Sequence, residues 1–173
     1  MYWQDLARKH KQSGVLVDTN LLLLLLIGAV DERCIGGKRT ENYTVDQYRA
    51  LANFLKDFKA VITTPHILAE VSNLGGAALY GRLRQAFFLL LSLPGLFRLE
   101  AGDDFVQEHS VKRQSVEPIC LARLGLTDAV IAKLCEQRIL FISDDFDLVN
   151  LISAAGGDAI NFSHMWNEGI HHA

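Results

Sequence analysis

The chain has 173 residues, half of them apolar, and a formal net charge of −3. That length suffices for one core of ordinary domain size, and the acidic balance excludes broad electrostatic adhesion to nucleic acid or anionic membrane, leaving such contacts to local basic patches. Three scattered cysteines, Cys34, Cys120 and Cys135, form no CxxC pair, which excludes a disulfide framework and a zinc cluster and fits a reducing, cytoplasmic setting.

In chain order, the start MYWQDLARKHK mixes charges and lacks the pattern of a signal peptide, so it is expected as a loose end outside the core. A β-branched run over 14–17 ends at Asp18 and predicts a strand. The apolar run from Leu21 to Val30 is about half of what a membrane span needs, and Asp18 and Asp31 bracket it; it predicts a buried helix. Residues 31–44 form a long polar loop, a candidate functional flap. Its GGKRT is no phosphate-cradling loop, because no strand precedes it and Arg39 follows the lysine where Ser or Thr belongs. Local basic patches are Arg8, Lys9 and Lys11, then Lys38 and Arg39, then Arg82 and Arg84.

The spacing of Tyr48, Leu51, Leu55 and Phe58 predicts a helix over 45–59, and AVIT a second strand. Thr64 is the expected N-cap and Pro65 the first-turn residue of a helix that Gly75-Gly76 should end. A helix over 79–91 and a strand at LFRLE follow, then mostly helix over 103–124, and a clean helix from Thr127 to about Gln137. ILFIS predicts a strand, 147–155 a helix stopped by Gly156-Gly157, and DAINF a last strand, with a loose tail behind it. Strands this apolar, alternating with helices, predict an α/β domain whose mainly parallel sheet is covered on both faces. One domain over 1–173, with its core at about 14–162, is expected.

In parallel sheets functional groups gather beyond the carboxyl ends of the strands. Asp18 follows the first strand, and Asp144, Asp145 and Asp147 follow ILFIS. Alternation at that strand end sends Ser143 and Asp145 one way and Asp144 the other. Glu70 lies about 40° from Leu74 on the edge of a buried stripe, where it can face a crevice. Asp128 stands one residue inside a helix capped by Thr127. Each acid alone has an ordinary explanation as a cap, turn former or boundary residue, but four in this order form a pattern.

LVDTN (16–20), Glu70 within HILAEVSNL, LTDAVIA (126–132) and FISDDFDLVN (141–150) together resemble the acidic motifs of PIN domains, over nearly the whole chain. The resemblance implies a three-layer α/β/α fold and a metal-dependent ribonuclease, often the toxin paired with an antitoxin. Asp18, Glu70, Asp128 and Asp145 would be catalytic metal ligands, directly or through water, with Asp147 a fifth member or an acid behind the ligands, and Asn20, Thr127 and Ser143 orienting carboxylates or a scissile phosphate. Clustered carboxylates repel, and an oxygen-only set selects Mg²⁺ or Mn²⁺. Lys38, Arg39 and Tyr43 are candidate contacts for single-stranded RNA. An antitoxin-like protein partner is expected as well, and the apolar stretch 77–97 is a candidate homodimer surface. A phosphatase of the haloacid dehalogenase type would need a second Asp where Asn20 stands. The alternative is a PIN-like scaffold that binds RNA or a protein without cleaving.

Overall fold

The computed structural model describes residues 2–92, 98–99 and 139–169. In chain order the elements are α1 (Tyr2–His10), β1 (Val15–Val17), α2 (Thr19–Val30), a 3₁₀ turn (Glu32–Cys34), α3 (Val45–Leu55), β2 (Val61–Thr63), α4 (Pro65–Ala78), α5 (Gly81–Leu91), β3 (Arg98–Leu99), β4 (Leu140–Ser143), α6 (Phe146–Ala154), β5 (Ala159–Asn161) and α7 (Phe162–Asn167). The strands form one sheet in the order β3-β2-β1-β4-β5, every pairing parallel. The fold is a three-layer α/β/α arrangement, and β1, β4 and β5 are buried along their whole length because helices cover both faces.

The chain runs outward from β1 to β3 on one side, and β4 then pairs with the other side of β1. The order therefore reverses between β1 and β4. At such a point the connections leave in opposite directions and open a crevice beyond the carboxyl ends of the two strands. That crevice receives Asp18 and Asp145.

The leucine run is α2. It buries Leu21 to Leu24, Leu26, Ile27 and Gly28, so it is apolar nearly all round and packs among α3, α4 and α5 as a central core helix. No helix among the described residues is long and apolar enough to cross a membrane. Thr44 and Gln47 close a capping box on α3, and Thr64 with Pro65 starts α4 as expected.

Several expectations change. Gly75-Gly76 does not end α4, which continues to Ala78, because Gly75 is where the helix meets the Phe87 ring of α5. Helix α3 stops at Leu55, and Phe58 reaches the core from the turn that follows, edge-on to Phe54 at 5.2 Å between ring centroids. Most of the expected loose ends is packed: α1 buries Trp3, Leu6 and His10, and α7 buries Phe162 and Met165, so His164 belongs to a helix rather than a tail, while His171 and His172 lie outside the described residues. The helices expected over 103–137 lie outside the described residues.

A polar tie holds α1 in place. His10 is buried, its Nε2 is 2.6 Å from Asp158 Oδ2, and Lys9 Nζ reaches the same oxygen at 2.5 Å. Burial would raise the Asp158 carboxyl, but the hydrogen bonds from Lys9 and His10 outweigh it and hold the group below its ordinary range. A depressed carboxyl contributes stability that is complete above its unfolded value of 3.8 and is lost as pH falls through the folded value. Asp158→Asn should therefore cost about 1–3 kcal/mol at neutral pH, mostly through the partner lost by buried His10. The deficit should shrink below about pH 4, where the wild type loses the same interaction. Urea melts at pH 7 and pH 3 check this, and a deficit independent of pH would assign the effect to packing instead.

Candidate functional site

Asp18 stands where β1 hands over to α2. Its extended backbone (φ −63°, ψ 158°) makes it the N-cap of α2, and the Thr19 N–H donates to Oδ1 at 2.6 Å. Its other oxygen, Oδ2, accepts from the hydroxyl of Ser143 at 2.6 Å, at the end of neighbouring β4. The Ser143 oxygen in turn accepts the N–H of Asp145 at 2.9 Å. Asp145 caps α6 by accepting from the Leu148 N–H at 3.0 Å. From the opposite wall, Glu70 on α4 accepts from the Thr19 hydroxyl at 2.8 Å. One chain of hydrogen bonds thus joins Glu70, Thr19, Asp18, Ser143 and Asp145 across β1, α2, α4 and β4.

These residues, apart from buried Ser143, line a cleft of about 490 Å³ together with Asn20, Asn73 and Leu74. Asp18 is 7 % exposed at its floor, whereas Glu70 and Asp145 are open to solvent on its walls. The Asp18 carboxyl is pushed up from its usual range. Burial is the main cause, the hydrogen bonds from Ser143 and Thr19 oppose it, and the charges of Asp145 and Glu70 add to it. Among the described residues the cleft lining carries only negative charge, which a cation would relieve.

The remaining candidates fall as follows. Asp128 and Thr127 lie outside the described residues. Asn20 is exposed in the cleft, and Ser143 is fully buried beneath it. Asp144 is turned away: its Oδ1 accepts from the Ser163 N–H and hydroxyl, each at 2.8 Å, and so fastens α7 to the end of β4. Asp147, expected beside Asp145, does not line the cleft. The chain has already become helical at Phe146, so two residues carry the side chain about 200° round the axis. It sits instead in the first turn of α6, where a negative charge suits the helix dipole.

The 31–44 loop is pinned rather than free. Arg33 grips Asp31, Arg49 pairs with Glu32 at 2.6 Å, and buried Thr40 donates to the carbonyls of Cys34 and Gly37. Lys38 and Arg39 are exposed and line no part of the cleft, and their charges help hold the Glu41 carboxyl down after the backbone hydrogen bonds of Glu41 and Arg39. Tyr43 is half-buried, and its ring packs against the core. Burial raises its hydroxyl above the ordinary tyrosine range, and the hydrogen-bonded carboxylate of Asp144 adds to this.

Thr19 and Asn73 escaped the sequence reading. Thr19 sits beside Asp18, and its hydroxyl reaches a residue 51 positions away. Asn73 follows Glu70 by three residues, a helical neighbour spacing that could have paired them.

Mg²⁺ and Mn²⁺ suit the donors present, which are carboxylate oxygens without His or Cys. Among the described residues no three acidic, His or Cys groups gather closely enough to hold a metal by themselves. Mg²⁺ does not require that, since it keeps several waters and commonly takes one or two carboxylates plus substrate phosphate. No family model matches this chain, and no curated protein or solved structure is similar to it.

Proposed function

We propose that the protein is a Mg²⁺- or Mn²⁺-dependent endoribonuclease that hydrolyses phosphodiester bonds in single-stranded RNA, acting as the toxin of a toxin–antitoxin pair in the cytoplasm. The observation that carries this reading is the convergence of Asp18, Glu70 and Asp145 on one cleft at the point where strand order reverses. Asp18 and Asp145 would hold the cation, with Glu70 on the facing wall and Asp128 as a fourth ligand. When bound, the cation would activate a water for attack on phosphorus and stabilise the leaving oxygen. The chain's own contribution is orientation. Thr19 and Ser143 fix the oxygens of Asp18, the α6 cap fixes Asp145, and Thr19 holds Glu70 against the opposite side. Asn20, exposed in the cleft, can donate to a phosphate oxygen.

The experiment is cleavage of a labelled single-stranded RNA in Mn²⁺, in Mg²⁺ and in chelator. Cleavage should require the cation and fall at least 100-fold in Glu70→Gln and Asp145→Asn. Glutamine and asparagine keep hydrogen-bonding capacity at both sites, and Asn caps a helix about as well as Asp. Persistent cleavage in chelator would overturn the reading. The second reading is a scaffold that binds RNA or a protein without cleaving. RNA binding without cation-dependent cleavage would establish it.

A further inference from the structure

A second pocket, of about 220 Å³, opens between α1, α6, β5 and α7. It is smaller than the usual site for a drug-sized ligand, which suits one planar ring system. Its floor is apolar, built from Trp3, Val149, Ile160 and Met165. Phe146, 54 % exposed, stands at its edge, its ring 5.5 Å from that of His164 at an interplanar angle of 61°. Tyr2, 66 % exposed, is a second aromatic in the lining. Two large aromatic side chains left in water at one concavity are unusual for a surface without a ligand. Beneath them Trp3 is 7 % exposed, and its indole N–H has no acceptor among the described residues.

Phe146 directly follows Asp145, so the acid cleft and the pocket share the start of α6 as part of their walls. Asn161 is already committed, its amide spent on His164 and on the Asp144 carbonyl, whereas exposed Asn150 and Glu168 offer acceptors on the rim.

We infer that this pocket receives an unstacked nucleobase of the bound single strand, held on Phe146 over the Trp3 floor and read at its edge by Asn150 and Glu168. Single-stranded RNA is commonly recognised through bases splayed onto aromatic side chains. The RNA part of the inference rests on the function proposed above, but base binding does not. Adenosine and cytidine carry exocyclic amines for those acceptors and have no phosphate to involve the cleft.

The test titrates both nucleosides, in chelator, into protein carrying Trp166→Phe, so that Trp3 alone reports by fluorescence. Saturable binding is expected, weakened about tenfold or more by Phe146→Ala and by His164→Ala, and unchanged by Asp18→Asn. Both pocket substitutions are at exposed side chains, and circular dichroism checks that they fold. No saturable binding to the folded parent, or binding indifferent to both substitutions, overturns the inference. Base binding that follows this pattern in a protein whose melting ignores Mn²⁺ supports the pocket and sinks the nuclease reading alone.

Discussion

Asp18→Asn should abolish cleavage and remove most of the stabilisation that Mn²⁺ gives the wild type, while leaving the metal-free protein at least as stable as before. Three features of the site fix these signs. Asparagine caps a helix as well as aspartate, so the Thr19 N–H at the start of α2 keeps an acceptor, and the new amide N–H₂ can donate to the Ser143 oxygen, which offsets part of the loss of that hydroxyl's acceptor. The charge being removed is buried and faces those of Asp145 and Glu70, and all three effects already disfavour it. The cation, by contrast, binds only the folded arrangement and needs that charge. At about 100 times its dissociation constant a cation contributes about 2.7 kcal/mol by mass action, or several degrees in melting temperature at this chain length. Melting of both proteins in chelator and in Mn²⁺ separates the roles. If Asp18 acts only as a cap, the wild type ignores Mn²⁺ and the variant differs from it equally in both conditions. That outcome would end the nuclease assignment.

The sequence was most readable where one local rule governed. Both strand ends that carry acids are apolar runs broken by a carboxylate, and the cap Thr64 follows from side-chain chemistry within three residues. Reading failed where a second period or a distant partner took over. Alternation identified Asp145 against Asp144 because Ser143 still belongs to β4, but it could not extend to Asp147 once α6 had begun. The hydrogen-bond chain through the site joins Thr19 to Glu70 and Ser143 to Asp18 across 51 and 125 positions, and no window of sequence holds those pairs. The amino-terminal helix looked loose because its anchor, Asp158, lies 148 positions from His10. Lys38 and Arg39 carry charge but line no part of the cleft, and charge carries no information about which way a loop faces.

Gly75 shows the same limit with the larger energetic consequence, because its local and tertiary readings predict opposite signs. In a helix interior Gly→Ala ordinarily stabilises by about 1 kcal/mol, since alanine restricts the unfolded chain. At Gly75 an added Cβ would lie 2.1 Å from Phe87 Cζ and 2.6 Å from Cε1, inside any allowed contact. The obstacle is not a flexible tip. Phe87 is fully buried, its ring lies edge-on to that of Phe88 at 5.5 Å, and the two helices also pack on α2. To admit a methyl group, α4 and α5 must separate or the ring must leave its rotamer, which costs about 1–3 kcal/mol or more. Gly75→Ala should therefore be destabilised despite its better helix propensity, with a melting temperature lower by several degrees. The neighbouring glycine is the control. At Gly76 the nearest atoms to an added Cβ are Phe88 Cζ at 3.1 Å and Arg84 Nη2 at 3.6 Å, and both side chains can yield. Gly76→Ala should change stability by less than half as much, and Phe87→Leu should relieve part of the Gly75→Ala cost when the two are combined, as expected of residues in contact. Thermal melts of the wild type, the three single variants and the double variant decide the matter. A Gly75→Ala variant as stable as the wild type would mean that α4 and α5 do not meet at glycine distance, and that the expected helix stop at Gly75-Gly76 deserved more weight than the tertiary contact.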